Sequence, residues 1–112
     1  MSEIKAGQAF DLAAMIEVKC GRISSKRLIV SALASETEPE VDWVLYAMDQ
    51  GETISSETSP LTKIIHLLEG DLNMTVDGAP RALNKGSTLI VPANTWHDFA
   101  AYSSCKFLQI SK

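Results

Sequence analysis

Four residues have types and spacings that could carry chemistry: Glu57, Ser59, Lys63 and His97. Even numbers separate the first three, and side chains two or four apart on a strand lie on the same face. A carboxylate and an imidazole can bind a metal ion, exchange protons or fix a polar ligand. An ammonium can pair with the carboxylate or hold an anion. These residue types are therefore compatible with metal binding, proton transfer or the binding of a polar ligand.

A regular pattern of glycines surrounds these residues. Five residues separate Gly51 from Glu57, and six separate Lys63 from Gly70. A second segment follows, with the spacing defined by Gly86, Pro92, Asn94 and His97. The two segments are joined at Asp77-Gly78, where both residues can adopt positive φ, so the pair predicts a tight hairpin turn.

The sequence around these segments predicts short β-strands. Leu72, Met74 and Val76 alternate with polar residues, which indicates a half-buried strand. Strands are predicted at 23–30, 41–48, 54–59, 63–68, 72–76, 81–83, 88–91, 96–102 and 106–110, and no long helix is predicted. This pattern favours a small antiparallel barrel or a two-sheet jelly roll.

Two regions of the chain are expected to differ from this regular pattern. Residues 1–21 have ambiguous periodicity and are predicted to be a peripheral segment that packs across the barrel or onto a second subunit, with 22–112 as a single barrel domain. Residues 35–40 are predicted to form an acidic exposed turn. The strand at 41–48 is apolar on both faces, so one face should meet the barrel interior and the other a second sheet or subunit.

The two glycine-framed segments, with the phrase IIHLLEGDLNMTVDG, resemble the two motifs of the cupin family. The sequence is similar to small single-domain bacterial cupins, which implies an all-β, cupin-type double-stranded β-helix or jelly-roll barrel. In that family the first motif offers two histidines and a glutamate to a metal, and the second offers a third histidine. The resemblance places Glu57 and Ser59 at the first two histidine positions, Lys63 at the glutamate position and His97 at the last histidine position. It therefore implies that these four are the candidate ligand-binding residues and that His97 is the candidate catalytic residue.

These replacements argue against a tight metal site. Glu57 and His97 are the candidate metal ligands, whereas Ser59 is a poor one. At ~4 Å, two like unit charges repel by roughly 4 kcal/mol at an effective dielectric constant of 20, and a divalent ion beside the Lys63 ammonium would feel about twice that. We therefore predict an internal Glu57–Lys63 ion pair where the metal would lie. A divalent transition metal remains the cofactor of an alternative hypothesis.

Three functions are compatible with this pattern. The first is binding of a small polar or anionic molecule between Glu57, Lys63 and His97, with the metal site largely lost. The second is a metal-dependent enzyme of the dioxygenase or isomerase type that uses Glu57 and His97. The third is a metal-free isomerase or epimerase in which His97 is the general acid or base and Lys63 anchors an anion.

Other residues are assigned structural roles or secondary positions. His66 lies an odd number of residues from Lys63 and should face away from the site. Trp96 should point away from His97 for the same reason. Four aromatic residues are assigned to core or interface (Trp43, Tyr46, Trp96, Phe99), and a few residues could line the cavity: Phe99, Tyr102, Phe107 and Gln109.

Composition narrows the partners. The net charge of the 112 residues is −4, and no basic cluster suits phosphate contacts, so nucleic acid is not an expected partner. No apolar run approaches the ~20 residues that span a bilayer, and no secretory signal is evident, so no membrane partner and a cytoplasmic location are expected. Cys20 and Cys105 are predicted to be free thiols packed as small apolar groups. Strands that are apolar on both faces predict a homodimer.

Overall fold

A computed structural model describes residues 2–30 and 41–112 of the chain. The predicted acidic turn at 35–40 lies outside these residues. The described part contains one 3₁₀ helix, Leu12–Met15, and ten strands. The strands are β1 (Ser2–Ile4), β2 (Ile23–Val30), β3 (Asp42–Met48), β4 (Thr53–Glu57), β5 (Lys63–Glu69), β6 (Asp71–Val76), β7 (Ala79–Asn84), β8 (Thr88–Val91), β9 (His97–Ala101) and β10 (Cys105–Ser111).

The strands form two sheets that confirm the predicted all-β jelly roll. The six-stranded sheet has the order β1-β2-β3-β10-β5-β8, and the four-stranded sheet has the order β4-β9-β6-β7. All pairs are antiparallel except β1 with β2, which is parallel. The hairpin between β6 and β7 turns at Asp77 and Gly78, which have φ of 51° and 78° as the type I′ turn requires. This outcome confirms the sequence interpretation of that dipeptide.

The inner faces of the two sheets enclose the larger apolar cluster, here called the inner core. Alternation places Leu72 and Met74 of β6 in it, opposite Ile65 and Leu67 of β5. Because these side chains leave water almost completely, each contributes on the order of 1.5–3 kcal/mol to folding. The inner core comprises Met48, Ile65, Leu67, Leu72, Met74, Leu83, Val91, Phe99, Ala101, Cys105 and Phe107.

A second apolar cluster, here called the outer cluster, lies on the opposite face of the six-stranded sheet. Leu45 and Ala47 of β3 pack there with Leu108 of β10, and Ile4 and Ile16 of the N-terminal segment cover them. Both faces of β3 are therefore buried, as expected. Within this chain, the N-terminal segment, rather than a second sheet, covers the outer face of β3. The division into a peripheral segment (1–21) and a barrel (22–112) stays a prediction.

The two cysteines are free thiols, as predicted, but only one is packed as an apolar group. Cys105 is buried in the inner core, and burial is the main cause that raises the pKa of its thiol to about 11. Cys20 is exposed, which contradicts its predicted packing, because it lies in the turn at the end of the N-terminal segment that leads into β2. In the described residues, no helix has the length and apolar character needed to span a membrane.

Candidate functional site

Glu57, Lys63 and His97 come together at one end of the barrel. The Lys63 Nζ atom lies 3.1 Å from Glu57 Oε1 and 3.1 Å from His97 Nε2. The His97 Nε2 atom lies 3.6 Å from Glu57 Oε1. These three residues are here called the triad. The ion pair between Glu57 and Lys63 that the sequence predicted is present.

The two sheets each contribute to the triad. Glu57 ends β4 and stands opposite His97, the first residue of β9 in the same sheet. Lys63 begins β5 in the other sheet, where its register partners are Val91 and Ser111. Alternation along β5 and β9 turns Lys63 and His97 toward the interior. The triad therefore joins the two sheets at the end where β4 stops and β5 starts, which we call the site end.

Hydrogen bonds indicate the tautomer of the His97 ring. Its Nδ1 atom lies 2.8 Å from the carbonyl oxygen of Thr95, and a carbonyl can only accept. Nδ1 therefore carries the proton and donates a hydrogen bond to the carbonyl oxygen of Thr95. In a neutral imidazole the other nitrogen is an acceptor, so Nε2 accepts a hydrogen bond from the Lys63 ammonium. The lone pair of Nε2, which a metal ion would require, is occupied by a cation of the chain itself.

The three triad residues differ in their exposure to solvent. Only 1% of His97 and 7% of Lys63 are accessible, whereas 44% of the Glu57 side chain is exposed. A buried ammonium is stable only when it is paired and hydrogen-bonded, and here the partly exposed carboxylate supplies that pairing. The interior members are held from several sides, and the member that meets solvent is Glu57.

Aromatic rings connect the triad to the inner core. Phe99 meets the His97 ring edge-on at 5.7 Å between ring centres and stacks on Phe107 at 5.3 Å. Phe107 in turn stacks on Tyr46 at 4.9 Å. Burial, and secondly the negative charge of Glu57, raise the pKa of Tyr46 above its ordinary value. Tyr46 therefore belongs to the electrostatic surroundings of the triad as well as to the packed interior.

Sequence reasoning did not assign Tyr46 to the site. It had assigned this tyrosine to core or interface, and Gln109 to the cavity wall. The inward face of β10 carries two buried polar residues, Gln109 and Ser111, and Ser111 is the register partner of Lys63. Ser111 could also have been found from alternation, because it continues the inward series of Cys105, Phe107 and Gln109.

The other candidate residues lie apart from the triad contacts. The Ser59 hydroxyl accepts a hydrogen bond from the backbone N–H of Leu61 at 3.1 Å, so its side chain stabilises its own turn. Its role in ligand binding stays a prediction. Tyr102 is 72% exposed, which is wrong for a cavity wall, because it lies in the turn after β9.

Two residues that were expected to face away from the triad do so. His66 lies on the outward face of β5, where its Nδ1 atom is 2.6 Å from the Thr88 hydroxyl. Trp96 is 61% exposed, so its assignment to the core is wrong, and its assignment to an interface stays a prediction.

The residues present do not fit the metal that the cupin motifs imply. Across residues 2–30 and 41–112, no group of three or more His, Cys, Asp or Glu side chains could hold a metal ion. Glu57 and His97 supply two donors, and the ammonium that separates them repels any cation. A structural or catalytic metal site needs at least three protein ligands. No chemistry is therefore derived through a metal.

Two cavities formed by the described residues lie away from the triad. One of about 360 Å³ lies between the N-terminal segment and β2, and one of about 300 Å³ lies on the outer face of β6, β7 and β9. Neither is lined by a triad residue. Because the inner core fills the barrel below the triad, a ligand would have to meet these residues where Glu57 reaches solvent.

Comparison with known proteins agrees with the sequence resemblance. A family model described as "Cupin domain" matches residues 44–111. A search of curated proteins found no match. A crystal structure of a cupin superfamily protein from Desulfitobacterium hafniense is 27% identical, with a TM-score of 0.80, covering 94% of this chain and 90% of that one.

Two further crystal structures show the same fold at lower identity. A conserved protein of unknown function from Streptococcus pyogenes has a TM-score of 0.81 at 19% identity, covering 96% of this chain and 89% of that one. A salicylate 1,2-dioxygenase from Pseudoaminobacter salicylatoxidans has a TM-score of 0.71 at 13% identity, covering 88% of this chain but only 29% of that one. At these identities the likeness concerns the fold alone. With the family model matching more than half of its residues, the chain belongs to the cupin family.

Proposed function

We propose that this cupin binds a small polar or anionic molecule at the triad without a resident metal. One observation carries the proposal: the Lys63 Nζ atom lies 3.1 Å from both groups that would otherwise be the metal ligands. The triad is a ready-made arrangement of one cation, one anion and one neutral imidazole. A polar ligand can replace water at Glu57 and hydrogen-bond to these groups.

The metal-dependent alternative lacks support from the arrangement. It needs a third ligand close to Glu57 and His97, and the third charged group there is an ammonium. A metal would bind only after Lys63 left the interior, which would leave a buried position to be refilled by water or by another side chain.

A metal-free acid–base function is a second candidate, because His97 and Lys63 converge within 3.1 Å. His97 is almost wholly buried, so a proton would reach a substrate through Lys63 or Glu57 rather than directly. The test is hydrogen–deuterium exchange at the carbon next to the carbonyl of small keto acids, followed by NMR. Exchange by the native chain that His97→Gln abolishes would favour this candidate.

The binding proposal is tested by metal analysis and a thermal-shift screen. Protein purified without chelator is expected to contain far less than one metal per chain and to gain no stability from divalent ions. A small organic acid or polyol is expected to raise the melting temperature, and Lys63→Met should remove that increase while circular dichroism still shows a folded β-protein. Near-stoichiometric metal that His97→Ala releases would overturn the proposal.

We also propose that the chain forms a homodimer through the outer face of its six-stranded sheet. A row of register partners crosses that face from Trp43 through Ile110 and Ile64 to Ile90, and Ile90 is 61% exposed. Exposed apolar surface of this kind favours association. Sedimentation velocity at micromolar concentration tests the dimer, and Ile90→Lys is expected to shift the distribution to monomer.

A further inference from the structure

We propose that Glu57 occupies the position of a carboxylate ligand, and that the anions this site binds are small carboxylates which displace the Glu57 side chain from Lys63. The inference rests on the proposed function and names its ligand class. It follows from the different freedom of the three triad members.

The receiving groups are fixed. His97 is 1% accessible, its Nδ1–H is held by the Thr95 carbonyl at 2.8 Å, and Phe99 packs against its ring. Lys63 is 7% accessible and donates to Nε2 of that fixed imidazole at 3.1 Å. Two of the triad members therefore form a rigid donor that stays in the interior whichever anion faces it.

The carboxylate is the movable member. The Glu57 side chain is 44% exposed, and the single residue that donates a hydrogen bond to it in the described part of the chain is Lys63. Glu57 is the last residue of β4, and the register between β4 and β9 shifts between Ile54 and Glu57. The backbone soon after it is anchored, because the Asn94 N–H donates to the Ser59 carbonyl at 2.7 Å. Rotation of the side chain alone is enough to release Lys63.

The exchange conserves charge and hydrogen bonding. A buried ammonium cannot be left without an anion, so a neutral ligand that displaced Glu57 would leave Lys63 uncompensated. A ligand carboxylate restores the same charge and accepts the same hydrogen bond, while the freed Glu57 turns into water. Charge balance therefore selects an anion, and a carboxylate reproduces the group that it replaces.

The surroundings limit the size of this anion. The rings of Tyr46, Phe99 and Phe107 and the rest of the inner core fill the barrel below the triad. Neither of the two cavities of about 300 and 360 Å³ is lined by the triad. The ligand consequently fits with its carboxylate toward Lys63 and its remaining atoms toward solvent, as expected for a short mono- or hydroxycarboxylic acid.

The decisive experiment compares carboxylate binding by the native chain and by Glu57→Ala. Removing a ligand-contacting residue ordinarily weakens binding, but removing an internal competitor strengthens it. If the form with Lys63 released is populated at about 10% or less, the variant should bind acetate or lactate about tenfold more tightly or better. Titrations followed by ¹H–¹⁵N NMR give both dissociation constants. Glu57→Gln keeps the size of the side chain and should also bind more tightly.

The matched control is Glu69→Ala at the opposite end of β5. Glu69 pairs with Lys106 at 3.7 Å and is 49% exposed at its side chain, so it resembles Glu57 in charge and exposure but has no histidine beside its lysine. Its replacement should leave carboxylate binding unchanged. Lys63→Met, alone and combined with Glu57→Ala, should abolish binding.

The outcomes separate this inference from the proposed function. Carboxylate binding that weakens in Glu57→Ala and Glu57→Gln would overturn the displacement, while binding at the triad would stand. Binding of neutral polyols alone, dependent on Lys63, would also overturn the carboxylate assignment and keep the function. No binding of either class, in native chain or variants that remain folded, would overturn both.

Discussion

The two ends of this barrel use polar groups in opposite ways. At the site end, Glu57, Lys63 and His97 contact one another, and their side chains satisfy most of each other's charge and hydrogen bonds. At the opposite end of the barrel, here called the far end, the Asp49 carboxylate accepts hydrogen bonds that hold turns, and Gly70 lets the backbone of Ser104 approach closely. One Asp49 oxygen accepts from the N–H of Gly21 at 2.6 Å, and the other accepts from Gln50 N–H and the Ser104 hydroxyl, both at 2.9 Å.

The difference indicates which positions the fold itself requires. Far-end residues hold turns against each other, so their replacement should change stability. Site-end residues contact one another through their side chains, so substitutions there can change the chemistry of the site while the barrel stays folded. The spacing of the two motifs is retained, although three of the four positions that the resemblance assigns to metal ligands hold other residues. This is expected if the fold requires the spacing but not the side chains of the site.

The largest effect is expected at Gly70, where the far end is tightest. A β-carbon at Gly70 would lie 2.2 Å from the Ser104 carbonyl oxygen, and the residue has φ of 80°. Left-handed backbone and overpacking together predict that Gly70→Ala loses about 2–5 kcal/mol of unfolding free energy.

The control is Gly51→Ala, whose φ is 87° but whose β-carbon would meet no atom within 4 Å. It should lose only about 1–2 kcal/mol, the cost of the backbone conformation. Urea denaturation measures both. Equal losses in the two variants would show that the close approach to Ser104 adds nothing to the cost of a β-carbon at Gly70.

At the site end we expect a change of chemistry rather than of fold. Lys63→Glu replaces the ammonium with a third metal donor beside Glu57 and His97. Without metal the variant should be destabilised by repulsion between two carboxylates. With zinc or manganese at about 100 times the dissociation constant, it should gain about 2.7 kcal/mol.

Thermal shift and metal analysis after gel filtration measure this gain. Lys63→Gln is the matched control, because it removes the ammonium without adding a charged donor, and metal should stabilise it far less. Stabilisation of the native chain by the same ions would contradict the assignment of Lys63 as the group that excludes metal.

A smaller effect concerns pH at the far end. Hydrogen bonds from the Gly21 N–H, then from the Ser104 hydroxyl and the Gln50 N–H, lower the pKa of Asp49 below its usual 3.8. A lowered pKa stabilises the fold above pH about 3.8, and this contribution is lost as the pH falls through the folded-state value. Asp49→Asn should therefore be less stable than the native chain at pH 7, and this difference should shrink as the pH falls below about 3.8. Thermal melts across this range measure the difference, and a constant difference would show that the carboxylate charge contributes nothing.

The smallest effect is chemical and leaves stability untouched. The pKa of about 11 and the burial of Cys105 should keep its thiol unreactive at pH 8, whereas the exposed Cys20 should react. A disulfide reagent should label one thiol per native chain and two after denaturation. Rapid labelling of both in the native chain would indicate that the far end opens readily.

The sequence was informative wherever local pattern decides structure. Alternation in Leu72, Met74 and Val76 and the Asp77-Gly78 dipeptide predicted strand and turn, because both depend on neighbouring residues alone. The ion pair between Glu57 and Lys63 was predictable from the motif spacing. That spacing held because the glycines that anchor it are required by the backbone, as Gly70 shows.

The remaining features depend on contacts between distant parts of the chain. The hydrogen bond from Lys63 to Nε2 of His97 requires two sheets to meet, and no local pattern specifies which tautomer results. Tyr46 alternates like any core residue, so its nearness to Glu57 was not evident. The cover over Leu45 and Ala47 comes from an N-terminal segment whose periodicity was ambiguous, and only packing shows which surface it takes.

The positions of the two tryptophans have a practical consequence for spectroscopy. Neither belongs to the inner core: Trp43 packs against the outer cluster, and Trp96 is 61% exposed next to His97. The emission of Trp96 should respond to a molecule that binds at the site end and should change little when the barrel unfolds. That of Trp43 should follow the release of the N-terminal segment. Fluorescence can thus report ligand arrival and release of the N-terminal segment, and circular dichroism in the same sample reports melting of the sheets.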